Sequence, residues 1–156
     1  MPFRPDEWDL PLFLHILGAM VLVGALVLTA TYLFGAWRRG SADSLRFAYR
    51  SMLWGAIPGF LVMRVAAQWI YSKEGYDDLP SDPNWIGIGF GISDFGLLLL
   101  IVATVGAGLG VRRASAATAD AGAVETGTSV RVAAVAVALL LVLYLVAIWA
   151  MTTKPT

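Results

Sequence analysis

The chain has 156 residues, is 58% hydrophobic and 14% charged, and carries no formal net charge. Soluble domains run to about 45–50% apolar and about 25% charged residues; here the few charges sit in short blocks between long apolar runs, the pattern of a membrane protein of one domain. The absence of cysteine excludes disulfides, thiolate nucleophiles and cysteine-based metal centres, and the single histidine, His15, excludes a multi-histidine metal site within one chain.

Asp6, Glu7 and Asp9 precede the first apolar run, whereas a cleaved signal peptide opens on a positive segment. That run is also too long for a signal peptide, and it ends in Arg38-Arg39 without a small-residue cleavage site. A hydrocarbon core of about 30 Å needs roughly 20 helical residues. The first predicted span runs from about Pro11 to Trp37, with Pro11 suited to the first helical turn. Residues 38–50 are expected to extend the second helix inward, capped by Ser41 or Asp43. The second span covers about 51–71, with a kink at Pro58, and residues 72–84 form a polar, acidic loop.

The third span covers about 85–111. Gly87, Gly89 and Gly91 make its start a poor helix. Two readings stay open: a continuous helix, or a re-entrant glycine segment before a helix capped by Ser93. Residues 114–130 read as a flexible linker. The fourth span, about 132–151, has only Tyr144 as an interior polar group and reads as lipid-facing scaffold. Glycines at 55–59, 87–91 and 106–110 have the small-xxx-small spacing that lets membrane helices approach closely. The expected fold is an all-α, four-helix transmembrane bundle with up-down topology.

The loops assign sides. Arg38, Arg39, Arg46, Arg50, Arg112, Arg113 and Arg131 flank the first and third loops, against Arg4, Lys73 and Lys154 on the other side. The positive-inside rule puts the seven arginines in the cytoplasm and both termini outside. Topology, rather than nucleic-acid binding, accounts for this basic side. Trp8, Trp69, Tyr71, Trp85 and Trp149 are expected at the outer interface, and Tyr32, Trp37 and Trp54 at the inner one. The preference for Arg over Lys, with abundant Ala, Gly and Val, suggests a GC-rich bacterium and hence the cytoplasmic (inner) membrane.

Two charges break the apolar spans. Arg64 lies about 10 Å inside the outer boundary and Asp94 about 13 Å inside, at 1.5 Å per residue. A charge within a span is costly and marks a functional-site hypothesis. The second and third spans are expected to be antiparallel neighbours, which would let the two charges pair. Gln68 is one turn from Arg64 on the same helix face, and His15 enters at the same half of the membrane. The candidate cluster is therefore Arg64, Asp94, Gln68 and His15. It reads either as a structural ion pair with polar neighbours, or as a proton path, anion path or ligand pocket open to the outside. Histidine changes charge near neutral pH, which would suit a proton-linked role. As a haem or copper ligand, His15 would need Met63 or Met151.

The first span reads Leu14-His15-Ile16-Leu17-Gly18-Ala19, followed by Gly24. It resembles the opening helix of small bacterial four-span integral membrane proteins of uncharacterised function. More distantly, it is similar to the copper-resistance D-type membrane unit, where a first-span histidine precedes glycine by a similar interval. Those copper- or haem-associated relatives usually carry further histidines, and with His15 alone no metal or cofactor role is carried over from them.

There is no Walker loop, no G-x-S-x-G and no H-E-x-x-H. The leading expectation is a non-enzymatic structural, accessory or ligand-binding membrane component, whose partners are the lipid bilayer and a second copy or another membrane protein. The rival is an oligomeric permease, a proton-linked carrier or a redox component binding haem through His15.

Overall fold

The computed structural model describes residues 9–78, 80, 83–117 and 127–153. It contains four helical runs long and apolar enough to cross a bilayer, and no strand among the described residues. The protein is an all-α, multi-pass membrane protein.

Helix α1 spans Leu10–Arg39. It starts where the Asp9 carboxylate accepts from the Leu12 N–H at 3.5 Å, and Pro11 occupies its first turn, where a missing N–H costs nothing. It stops at Gly40, whose φ of 65° is the left-handed conformation that glycine adopts without strain. Ser41 then caps α2 (Ala42–Ser51), its hydroxyl accepting from the Ser44 N–H at 3.2 Å. Of the two caps expected, Ser41 is used. Asp43 sits in the first turn, where its charge complements the helix dipole, and pairs with Arg46 at 3.5 Å.

The helix continues through one π-helical turn, Met52–Ala56, into α3 (Ile57–Lys73). There the Ile57 N–H donates to the Met52 carbonyl, five residues back. Pro58 has no N–H for the ordinary i→i−4 bond. The irregularity expected at Pro58 therefore takes the form of a widened turn just before it.

Helix α4 runs unbroken over Asn84–Ala117. The re-entrant alternative is not realised: Gly87, Gly89 and Gly91 are helical, Ser93 is no cap, and Asp94 lies inside the helix. At membrane depth each backbone polar group needs an internal partner, which outweighs the roughly 1 kcal/mol helix penalty of each glycine. Because α4 reaches Ala117 and α5 spans Thr128–Thr153, the expected linker is helical at both ends; residues 118–126 lie outside the described residues.

The helices pair as α1 with α3 and α4 with α5, while α1 also packs on α5, and α2 reaches α4. Glycines make the closest crossings. A methyl group on Gly18 would lie 2.5 Å from the Met63 amide nitrogen, and one on Gly59 would lie 2.8 Å from that of Leu22. Between α4 and α5, a methyl on Gly106 would meet the Ser129 carbonyl oxygen at 2.8 Å. Gly87 and Gly91, by contrast, have nothing within 4 Å of such a methyl. Leu22, Leu26, Leu33, Met52, Val137 and Leu140 are fully buried along the middle of the bundle.

Two expectations need correction here. First, α3 and α4 are successive helices but barely approach each other along their backbones, because the glycine crossings hold one to α1 and the other to α5. Second, α5 is more than a lipid-facing scaffold: Val132, Val135, Leu139, Val142 and Leu145 are exposed, but it is the most buried of the four spans, with Ala133, Ala136, Ala147 and Ala150 in close contacts. Trp54 is 83% exposed, beside Gly55, which packs on Ala25 of α1. Trp8 lies outside the described residues.

Contacts between helix ends define two poles. Lys73 Nζ lies 3.6 Å from Asp9 Oδ1, joining the end of α3 to the start of α1. At the other pole Arg113 donates to the Ser129 hydroxyl at 3.5 Å, and the Arg131 guanidinium lies over the Trp37 ring at 5.8 Å. These two poles are the Asp9 end and the arginine end.

Candidate functional site

The Gly18–Gly59 crossing brings α1 against the middle of α3, and this places His15. Its Nδ1 lies 3.1 Å from the Met63 carbonyl oxygen. A carbonyl only accepts, so Nδ1 carries the hydrogen and donates. The next residue, Arg64, turns toward α4. Its Nη2 lies 3.3 Å from Asp94 Oδ1, its Nη1 donates to Gln68 Oε1 at 3.3 Å, and its Cζ stands 4.5 Å from the centre of the Phe90 ring. The guanidinium thus has a carboxylate, an amide oxygen and an aromatic face around it, and each favours a cation.

The four residues proposed from the sequence divide. Arg64, Gln68 and Asp94 form one bonded cluster. His15 is tied instead to the backbone beside Arg64. Exposure also differs: the Arg64 side chain is 29% exposed, whereas that of Asp94 is 68% exposed and faces out of the bundle. Among the described residues, no three His, Cys, Asp or Glu side chains gather where they would hold a metal ion.

Because α3 and α4 do not close on each other, a cavity of about 280 Å³ remains between the paired helices. It extends from Leu12 on α1 inward to Leu22, about 15 Å at the helical rise. His15 and Arg64 both line it, among mostly apolar neighbours. At the Asp9 end it is rimmed by aromatic rings: Tyr71 lies 6.0 Å from Tyr76, Tyr76 meets Trp85 edge-on at 6.0 Å, and Tyr71 meets Phe90 edge-on at 5.5 Å. Gly89 leaves room for Met151, whose Cε would lie 2.6 Å from any methyl placed there.

Two lining residues carry polar groups that sequence reasoning did not place in the site. Ser93 is 5% exposed and Tyr144 is 6% exposed. Neither hydroxyl has a hydrogen-bond partner. The signal for them was the polar residue itself, since Tyr144 is the one interior polar group of α5 and Ser93 adjoins Asp94. What the sequence lacked was the side each faces.

The fold and this site define a small multi-pass membrane protein with an apolar cavity flanked by an intramembrane ion pair. No protein-family model, curated protein or solved structure matches the chain.

Proposed function

We propose that the protein is a non-enzymatic, ligand-binding accessory component of a bacterial cytoplasmic membrane, and that it holds a small lipophilic molecule in the cavity between α3 and α4. The cavity itself carries the reading. Protein interiors leave few voids larger than a water molecule, and about 280 Å³ is close to the lower bound of small-molecule sites. Its walls are mostly apolar, which favours a hydrocarbon-bearing occupant. The Arg64–Asp94 pair braces the wall on the side where the backbones stand apart. In this reading the arginine end faces the cytoplasm and the Asp9 end faces outward, as the arginine-rich loops favour.

The test is native mass spectrometry of the purified protein released from mild detergent. A lipophilic adduct retained from the host membrane is expected on the natural chain. Replacing Ala67, which lines the cavity, by Trp should displace it. An Ala67→Trp variant that folds and retains the same adduct in the same proportion would sink the proposal.

A further inference from the structure

Hydroxyl groups on membrane helices ordinarily donate back to the carbonyl one turn earlier. This chain follows that habit at Thr31, Thr104, Ser115 and Thr152, with distances of 2.9, 2.7, 3.0 and 2.9 Å. Ser93 does not follow it, and Tyr144 has no partner either. Both residues line the cavity, with their hydroxyls turned into its wall. A methyl group on Gly96 would stand 3.0 Å from the Tyr144 hydroxyl, and Gly96 is one helical turn from Ser93 on α4. The wall at the inner end of the cavity therefore holds two unpartnered hydroxyls, about one helical turn apart. A buried polar group without a partner is costly, and an acceptor placed between them would satisfy both.

The charges specify the acceptor further. Arg64 is already matched by Asp94, and it has Gln68 and Phe90 as additional neighbours. An anionic ligand would disturb a balanced pair and leave a net charge at membrane depth. The rim of Tyr71, Tyr76, Phe90 and Trp85 offers ring faces and edges to a flat group or a chain. We infer that the ligand is an uncharged lipophile carrying a carbonyl oxygen, the chemistry of a prenylated quinone, and that Ser93 and Tyr144 hold this oxygen at the inner end of the cavity. The inference rests on the ligand-binding reading above and adds the ligand class. Both hydroxyl oxygens are enclosed in the cavity wall, so contact requires a local motion. For Ser93 that motion is rotation about χ1; for Tyr144 it is a shift of the ring away from Gly96.

The experiment uses two matched probes, decylubiquinone and decylbenzene. Both carry a ring on a ten-carbon chain, and only the first has oxygens. Each is titrated into the lipid-stripped protein in detergent, and the bound fraction is read by native mass spectrometry. Decylubiquinone should bind at least about tenfold more tightly than decylbenzene. Ser93→Ala and Tyr144→Phe should each weaken it about three- to tenfold, the loss of one net hydrogen bond. Thr29→Val is the control, because Thr29 is buried with an unpartnered hydroxyl but does not line the cavity; it should leave binding unchanged. Thermal melts establish that each variant folds. Equal affinity for both probes, unmoved by Ser93→Ala and Tyr144→Phe, overturns the ligand class while leaving a chain-binding cavity. Failure of both probes to bind, with no difference between the natural chain and Ala67→Trp, overturns the ligand-binding reading as well.

Discussion

Arg64 reaches Asp94 at 3.3 Å across two helices whose backbones barely approach each other. The contact is made by the side chains, across the gap between α3 and α4. Removing one member leaves the other charge at membrane depth without its partner. Arg64→Ala and Asp94→Ala should each destabilise the protein by about 2–3 kcal/mol, on the scale of placing a charge in a span. The double change Arg64→Met with Asp94→Leu should recover most of the loss. Melts in detergent across the full cycle are the check, with a coupling of at least about 1 kcal/mol expected. Strictly additive losses would mean that the two residues do not act as a pair.

The glycines of α1 should separate sharply. A methyl on Gly18 runs into the backbone of Met63 at 2.5 Å and that of Gly59 at 2.9 Å, and backbone cannot step aside as a side chain can. Gly18→Ala should therefore push α1 and α3 apart and cost at least about 2 kcal/mol, within the range of overpacking strain. The same displacement should loosen the His15–Met63 contact. Gly24 has nothing within 4 Å of a new methyl. Gly24→Ala should be neutral or stabilising by up to about 1 kcal/mol, the helix-propensity gain. Equal melting temperatures for the two variants would contradict this account of the crossing.

The spans were legible because a bilayer demands about 20 apolar residues in a row, and the sequence offers four such runs. Arg64 and Asp94 were legible for a related reason: a charge stands out against an apolar background, and counting residues gives its depth. The cavity was not. It exists because Gly18 and Gly59 draw α3 onto α1 while Gly106 draws α4 onto α5, and no local pattern says which of several glycine groups will meet a partner. Gly87 and Gly91 have the same spacing and meet nothing. The second, packed face of α5 was hidden for a similar reason. Alanine and valine suit a lipid-facing surface and a close-packed one equally, so composition alone does not separate a scaffold helix from the most buried one. Tyr144 was visible as a residue, but its hydroxyl became a feature of the site only once Gly96 was seen beneath it.

Unpartnered hydroxyls also make a prediction about the ligand-free protein. Tyr144 and Thr29 are buried, and each hydroxyl lacks a partner. Phenylalanine and valine nearly match their shapes without the polar atom. In lipid-stripped protein, Tyr144→Phe and Thr29→Val should be neutral or stabilising by about 1 kcal/mol, since a desolvation cost is removed and no bond is lost. With decylubiquinone present, the stabilisation conferred by ligand should shrink for Tyr144→Phe and persist for Thr29→Val. If Tyr144→Phe instead lowers the melting temperature of the stripped protein by several degrees, the hydroxyl makes a bond in the ligand-free state.

Orientation can be tested directly because the chain has no cysteine of its own, so any single cysteine reports without background. Glu74 is exposed just past the last turn of α3, at the Asp9 end; Ala116 is exposed near the last turn of α4, at the arginine end. If the seven arginines face the cytoplasm, Glu74→Cys should react with a membrane-impermeant maleimide in intact cells, and Ala116→Cys only after the membrane is permeabilised. The opposite pattern would reverse the assignment and move the cavity, with its Arg64–Asp94 brace, to the cytoplasmic half of the bilayer. The aromatic rim at Tyr71, Tyr76 and Trp85 would move with it, because it is fixed to the same end of the bundle as Lys73 and Asp9. A single pair of labelling reactions therefore decides from which side of the membrane the cavity is reached.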